Sequence, residues 1–319
     1  MSAARDFALT ARLALGTAAV MFALIVVGSI VRTTGSGLAC PDWPLCHGRL
    51  IPPLQFNILI EWFHRLLALV VGLLLLATAA WTLLRPGTRA ILGGHAVVAV
   101  ALYLSQALLG ALTVWKLLDP NVVSGHLAVG LVLFATLLSL GLVARREAGA
   151  GSRAPVRPPG LLPLFGLATA AIWMQAVLGG MVSTNHASLA CPDWPTCKGV
   201  WFPPLEGLVG LQMTHRYAAY VLVGLLGIVT WRSGAAPDLA VRNIGRSLFL
   251  LVLAQAGLGA ANVLLGVPVW LSALHLGNAA LMLALAVIGT HRLAAMPAAE
   301  RMRAGAHRPA HPAGGRLAR

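Results

Sequence analysis

Residues 38–44 read Leu-Ala-Cys-Pro-Asp-Trp-Pro, and residues 189–195 repeat this sequence without a change. The same offset of 151 positions continues beyond this segment. Further matching pairs are Cys46 with Cys197, Gly48 with Gly199, Pro52-Pro53 with Pro203-Pro204, and His64-Arg65 with His215-Arg216. Coincidence does not align cysteines, prolines, a tryptophan and a His-Arg pair at one offset. The chain is therefore predicted to be a duplicated unit, and differences between its halves indicate a division of labour.

The composition is that of an integral membrane protein. Of the 319 residues, 58% are hydrophobic and only 10% are charged, which excludes an ordinary soluble protein. A helix needs roughly 17–25 apolar residues to cross the hydrocarbon core. Eight segments meet this length, at about 13–30, 61–83, 91–114, 123–143, 161–182, 211–231, 247–265 and 270–290. We predict an all-α integral membrane protein with eight transmembrane helices, arranged as two tandem four-helix bundles related by a pseudo-two-fold duplication.

The apolar segments and the stretches between them divide the chain into four parts. We predict an N-terminal half, a cytoplasmic linker rich in Gly, Ala, Pro and Arg, a C-terminal half and a disordered cytoplasmic tail, at residues 1–144, 145–160, 161–292 and 293–319. Four spans in each half give both halves the same orientation in the membrane. The first span resembles a signal peptide, but the tripeptide that follows it recurs in mid-chain, so we expect this span to remain in the mature protein.

The net charge of +14 is distributed by membrane side. Most arginines fall on one side of an eight-span arrangement, and the opposite side holds few basic residues, chiefly Arg32, Arg49, Lys116 and Lys198. Basic residues are enriched on the cytoplasmic side of membrane proteins, so both termini are predicted to be cytoplasmic. This pattern favours lipid head groups over nucleic acid as the partner of the arginines.

All four cysteines then lie outside the cytoplasm, in two long loops. The first large loop, about residues 31–60, contains Cys40 and Cys46, and the second large loop, about 183–210, contains Cys191 and Cys197. An oxidising exterior permits disulfides, and the Pro-Asp-Trp-Pro segments favour turns that bring each pair together. We predict one disulfide within each loop. The spacing does not fit a c-type haem attachment site, and no paired histidine nearby supports zinc.

Four histidines occupy matched positions near the outer ends of the even-numbered spans: His64, His126, His215 and His275. Histidines inside a membrane are rare, and each half offers one pair at the same depth. Facing histidines on separate helices of a bundle can ligate haem iron from both sides. We predict haem ligation by these pairs, while copper binding and hydrogen bonding between helices remain alternatives.

Other polar residues have less specific interpretations. Arg65 and Arg216 directly follow their histidines, and each is a candidate partner for a haem propionate or a residue that extends to the outer interface. Gln106 and Gln255 recur with Gly110 and Gly259, which suggests close helix packing. We expect solvated or interfacial roles for the remaining histidines, His47, His95, His186, His291, His307 and His311.

The clearest difference between the halves is Glu61, which corresponds to Gln212. Each residue precedes its histidine by three positions and therefore shares its helix face. An acid in the first half and an amide in the second suggest that only the first half needs a charge or a proton acceptor. Solvation of Glu61 at the membrane interface is the alternative.

Together these motifs resemble the haem A synthase family. The resemblance covers about residues 10–292. It rests on the glycine-rich start of the first large loop, its cysteine pair, Glu61-Trp62-Phe63-His64-Arg65 at the start of the second span, and the four ordered histidines. Cysteine pairs in both loops place the chain with bacterial members, although the family also has members without these cysteines. The resemblance implies a multi-pass protein of the bacterial inner membrane.

The resemblance further implies oxidation of a methyl group of haem o to the formyl group of haem a, for cytochrome oxidase. His64 and His126 would then hold the substrate haem, His215 and His275 would hold a permanent haem b, and Glu61 would be the catalytic acid. Implied partners are haem o, the haem o synthase, an unidentified electron acceptor such as a quinone, and a second copy of the chain.

Two other function classes fit parts of the pattern. A membrane electron carrier with two b haems would also use four histidines, but all four lie at one side and Glu61 would have no role. A haem or metal exporter could use a duplicated bundle, but no broken helix or polar path towards the cytoplasm supports transport.

Overall fold

The computed structural model describes residues 3–149 and 155–298, and these ranges contain eight α-helices. The helices are α1 Ala3–Thr33, α2 Phe56–Leu84, α3 Pro86–Trp115, α4 Pro120–Ala148, α5 Leu161–Thr184, α6 Gly207–Gly234, α7 Leu239–Leu264 and α8 Val269–Ala294. One turn of 3-10 helix, Ala187–Leu189, lies between α5 and α6. No β-strand forms within the described ranges, so the predicted all-α class is confirmed.

Seven of these helices are long and apolar enough to cross a membrane, and α6 is the exception among them. The apolar stretch of α6 is bounded by Arg216 at one end and Arg232 at the other, which shortens it. Exposed leucines, valines and tryptophans cover the outer surfaces of the helices, as expected for contact with lipid. The chain is a multi-pass helical membrane protein, and the eighth crossing, by α6, stays a prediction.

Local sequence explains where several helices begin. Asp119 caps α4, because its carboxylate accepts hydrogen bonds from the backbone N–H groups of Asn121 and Val122. Asp238 caps α7 in the same way. Pro86 and Pro120 occupy first-turn positions of α3 and α4, where a missing backbone N–H does no harm.

The helices pack as two groups of four that share a central interface. In the first group α1 and α3 each pack against both α2 and α4, and in the second α5 and α7 each pack against both α6 and α8. The pairs α2–α4 and α6–α8 are diagonal and make no extensive contact in the described structure. Helices α1, α4, α5 and α8 join the groups through the pairs α1–α8, α4–α5 and α4–α8. Space for a bound group therefore exists between the diagonal helices of each group.

The stretch between the groups differs in detail from its prediction. Helix α4 continues to Ala148, beyond the predicted start of the linker at residue 145. Arg157 donates from its backbone N–H to the carbonyl oxygen of Pro297 at 2.9 Å, so the chain before α5 contacts the chain after α8. Residues 150–154 of the linker and 299–319 of the predicted disordered tail, with His307 and His311, lie outside the described residues.

Candidate functional site

Each large loop is closed by a disulfide and an aspartate-centred turn. The disulfides Cys40–Cys46 and Cys191–Cys197 are both formed, which confirms the predicted pairing. In the first large loop, Asp42 accepts hydrogen bonds from the backbone N–H groups of His47 at 2.6 Å and Gly48 at 2.8 Å. Asp193 accepts the corresponding bonds from Lys198 and Gly199 in the second. The repeated sequence therefore forms the same turn twice.

Hydrogen bonds to these two carboxylates favour their ionised form. The backbone N–H of Gly48, followed by that of His47, lowers the pKa of Asp42. The hydroxyl of Thr196, followed by the backbone N–H of Gly199, lowers the pKa of Asp193. A depressed carboxyl pKa gives stability that is present above the ordinary pKa and is lost as the pH falls through the folded value. Both turns therefore keep this stabilisation at neutral pH.

An arginine near the start of α2, and another near the start of α6, holds the large loop that precedes the helix. The guanidinium of Arg65 donates to the carbonyl oxygens of Asp42 and Leu45, both at 2.6 Å, and to that of Cys40 at 3.0 Å. Arg216 donates to the carbonyl oxygens of Thr196 at 2.6 Å and Cys191 at 2.8 Å. These arginines were also candidate propionate partners, and that role stays a prediction; Arg65 gives three hydrogen bonds to its loop and Arg216 gives two.

Glu61 is buried and links the first large loop to α2. Only 4% of the residue is exposed. One carboxylate oxygen accepts from the backbone N–H of Cys40 at 2.8 Å, and the other forms an ion pair with Arg65 at 2.6 Å. The corresponding Gln212 is equally buried, but its amide donates to the carbonyl oxygen of Ser188 and its own oxygen has no partner among the described residues. The two halves thus differ in charge at this position.

One cavity of about 1010 Å³ joins the predicted site residues of both halves. Its lining includes the four histidines, the acid–amide pair and the two loop-binding arginines: His64, His126, His215, His275, Glu61, Gln212, Arg65 and Arg216. The volume is at the upper end of the range of about 300–1,000 Å³ that is typical of sites for small organic ligands. The cavity lies at the end of the bundle that the large loops cover, since the first loop's Trp43 stacks edge-on against Trp115 at the end of α3.

A glycine on a neighbouring helix lies against each of the four histidine rings. An added Cβ would lie 3.2 Å from the Cε1 atom of His64 at Gly28, and 2.9 Å from that of His215 at Gly179. The corresponding distances are 3.5 Å between Gly110 and His126, and 3.1 Å between Gly259 and His275. Gly259 therefore leaves room for the His275 ring, whereas a Cβ at Gly110 would make an ordinary contact with His126. Gly28 and Gly179 share the 151-residue offset, which could have identified them from sequence.

The histidine nitrogens are suited to a metal-bearing ligand. The Nδ1 atoms of His64, His126 and His275 are buried and have no hydrogen-bond partner among the described residues. Burying a polar atom without a partner is unfavourable, so these rings are expected to gain interactions from a bound group. His64 and His126 line the cavity from the diagonal helices of the first group, and His215 and His275 line it from those of the second. Each diagonal pair could hold a metalloporphyrin between its two imidazoles, and this ligation stays a prediction.

His215 has a polar neighbour that sequence reasoning missed. The amide nitrogen of Gln175, on α5, lies 3.1 Å from its Nδ1 atom and 2.9 Å from its carbonyl oxygen. The matching residue on α1 is Leu24, so His64 lacks this contact. Gln106 instead donates to the carbonyl oxygen of His126 at 2.8 Å. Among the four rings, that of His215 is thus the one whose Nδ1 atom has a hydrogen-bond partner among the described residues.

Two of the remaining histidines, His47 and His291, form hydrogen bonds away from the cavity histidines. His47 bonds to the carbonyl oxygen of Ala39 within the first large loop, and His291 bonds to the hydroxyl of Ser139 at the opposite end of the bundle. Among the described residues no group of three or more histidine, cysteine or acidic side chains could hold a bare metal ion.

Comparison with known proteins identifies the family. The family model COX15-CtaA, described as cytochrome oxidase assembly protein, matches residues 11–58 and 54–287. The chain belongs to the COX15-CtaA family. This match includes both large loops, Glu61 and all four cavity histidines.

Several curated relatives of this COX15-CtaA chain carry the name Heme A synthase. The protein from Shewanella oneidensis is 30% identical, and the alignment covers 82% of this chain and 89% of the relative. The protein from Geobacillus kaustophilus is 32% identical over 81% of this chain and 83% of the relative. The protein from Bacillus licheniformis is 35% identical over 65% of this chain and 69% of the relative. The family resemblance inferred from the motifs is thus confirmed.

Proposed function

We propose that this chain is a haem A synthase, an oxidoreductase that converts the methyl group of haem o to the formyl group of haem a for cytochrome oxidase. The observation that carries the proposal is the cavity in which Glu61 and both histidine pairs meet. Membership of the COX15-CtaA family and relatives with the name Heme A synthase support it.

The difference between Glu61 and Gln212 supports a division of labour between the halves. His64 and His126 would hold the substrate haem o beside Glu61, and His215 and His275 would hold a resident haem b beside the uncharged Gln212. With the Gln175 amide turned so that its oxygen accepts from the Nδ1–H of His215, this contact would leave Nε2 free to ligate iron and would fix the orientation of the imidazole. Bound haem b would supply one-electron redox chemistry next to the substrate.

Glu61 would serve as the proton acceptor of the reaction or as a transient nucleophile. Conversion of a methyl to a formyl group with water as the oxygen source releases protons and electrons, so the protons must leave the site and the electrons must pass to an acceptor. Each carboxylate oxygen of Glu61 makes one hydrogen bond and keeps a free acceptor position. Arg65 and the backbone of Cys40 hold the carboxylate in place, which reduces the reorganisation that a proton transfer requires.

We propose further that all eight helices cross the membrane and that the halves arose by tandem duplication. The paired turns, paired disulfides and matching sets of helix contacts support this arrangement. The arginine distribution favours cytoplasmic termini and large loops on the outer side of a bacterial inner membrane. The haem o synthase, a quinone-type acceptor and a second copy of the chain stay predicted partners.

Production of haem a tests the proposed function. The chain is expressed in a host that makes haem o but no haem a, and extracted haems are separated by chromatography. We expect haem a to appear only when the chain is present. A pure electron carrier with two b haems would leave the haem o of the host unchanged.

The glycine beside His215 gives a prediction about cofactor binding. In Gly179→Ala the new methyl group would lie 2.9 Å from the ring atom Cε1, so the imidazole must move. Overpacking of this kind costs about 1–3 kcal/mol, and we expect weaker haem binding in the C-terminal half. The haem absorption spectrum of the purified protein measures this loss. The control is Gly166→Ala on the same helix, where nothing lies within 4 Å of the added atom.

A further inference from the structure

Arg32 is a cavity-lining cation that neither the loops nor Glu61 engage. It lies in the last turn of α1, and its position corresponds to Ser183 in the C-terminal half. The side chain is half-buried, and among the described residues it makes one hydrogen bond, from Nη2 to the carbonyl oxygen of Ser183 on α5. A guanidinium carries five N–H donors, so most of its donors remain available.

The excess of positive charge in the cavity lining favours an anionic ligand. Four arginines line it, Arg32, Arg49, Arg65 and Arg216, whereas Glu61 is the one acidic residue in this lining and is paired with Arg65. A half-buried cation in a membrane protein is unfavourable without an anionic partner. The ligand that complements this site therefore carries carboxylates or another anionic group.

The position of Arg32 relative to His64 determines which carboxylate it meets. Gly28, whose added Cβ would lie 3.2 Å from the His64 ring, precedes Arg32 by four residues on α1. Residues at this spacing share one helix face, and Arg32 lies about 6 Å closer to the loop end of the bundle. A porphyrin ligated by His64 with its propionates directed towards the loops would present a carboxylate to this guanidinium.

We propose that Arg32 recognises a propionate of the porphyrin bound between His64 and His126, an inference that rests on the proposed function. The guanidinium binds the carboxylate through parallel N–H donors, a geometry that lysine cannot reproduce. The corresponding residue of the C-terminal half is Ser183, which has no charge, so this interaction with a propionate is specific to the N-terminal half. Arg32 orients and selects the substrate, and it takes no part in proton transfer.

The test compares binding of iron protoporphyrin with binding of its dimethyl ester to the full-length protein in lipid nanodiscs. The titrations are performed in the His215→Ala background, where binding reports on the N-terminal pair. Arg32→Gln should weaken binding of the free acid by about 10- to 100-fold, the range for a hydrogen bond to a charged group. Binding of the ester, which offers no anion, should stay unchanged, and Arg32→Lys should lie between the two.

Arg12→Gln is the matched control, because it removes the same charge from an exposed position elsewhere on α1. An acid-to-ester affinity ratio in Arg32→Gln equal to that of the unsubstituted background would overturn the assignment of Arg32. If Arg32→Gln folds poorly, Arg32→Lys replaces it in the test. An acid-to-ester affinity ratio in Arg32→Lys equal to that of the unsubstituted background would also overturn the assignment. The proposed function itself fails under a different result. That result is no porphyrin binding in the His215→Ala protein together with no binding at His64 and His126 in wild type.

Discussion

Replacement of Glu61 with glutamine should lower the formation of haem a by about 100-fold or more, the usual contribution of a positioned acid or base. Glutamine keeps the size of the side chain and can still accept from the backbone N–H of Cys40, but it cannot accept a proton as a base and loses the ion pair with Arg65. Haem o should then accumulate on the purified protein. Chromatography of the extracted haems measures both changes.

The control for this variant is Gln212→Asn at the matching position of the other half. It alters a buried amide that has no proposed chemistry, so output of haem a should persist. Haem b should remain in Glu61→Gln, since the C-terminal histidines are unchanged. Normal output of haem a from Glu61→Gln would remove the carboxylate from the mechanism and leave it only its role in anchoring the first large loop.

Alanine in place of His215 and alanine in place of His64 should have different effects on the bound haems. His215→Ala removes one axial ligand of the resident haem b and should abolish the bis-histidine spectrum of that site. His64→Ala should remove haem o and its oxidised products while haem b remains. Both variants should lose haem a formation, because one loses the electron acceptor and the other loses the substrate site.

Much of this architecture could be predicted from the sequence because repetition and membrane burial are strong constraints. The duplicated Cys-Pro-Asp-Trp-Pro segment predicted both disulfides, and apolar length predicted helices that the structure confirms. Helix α2 begins at Phe56, before the predicted start of the second span at about residue 61. Polar residues at both ends of α6 also weaken its membrane signal.

Side-chain contacts across helices were beyond the reach of sequence reasoning. Sequence spacing predicted that Glu61 shares a helix face with His64, but not that its carboxylate bonds to the backbone of Cys40. Gln175 was missed because its match, Leu24, is apolar and breaks the repeat. Arg65 had two interpretations, a propionate partner or an interfacial residue, and neither foresaw that its guanidinium donates to three loop carbonyl oxygens. Such contacts depend on how the loops fold back over the bundle.

The haems extracted from wild type, His64→Ala and His215→Ala, purified side by side, test most directly whether two imidazole pairs hold two different porphyrins. Wild type should contain haem b together with haem o, haem a or an oxidation intermediate between them. His64→Ala should contain haem b alone, and His215→Ala should lose haem b. Haem b alone in wild type, or the same haem content in both variants, would contradict the account.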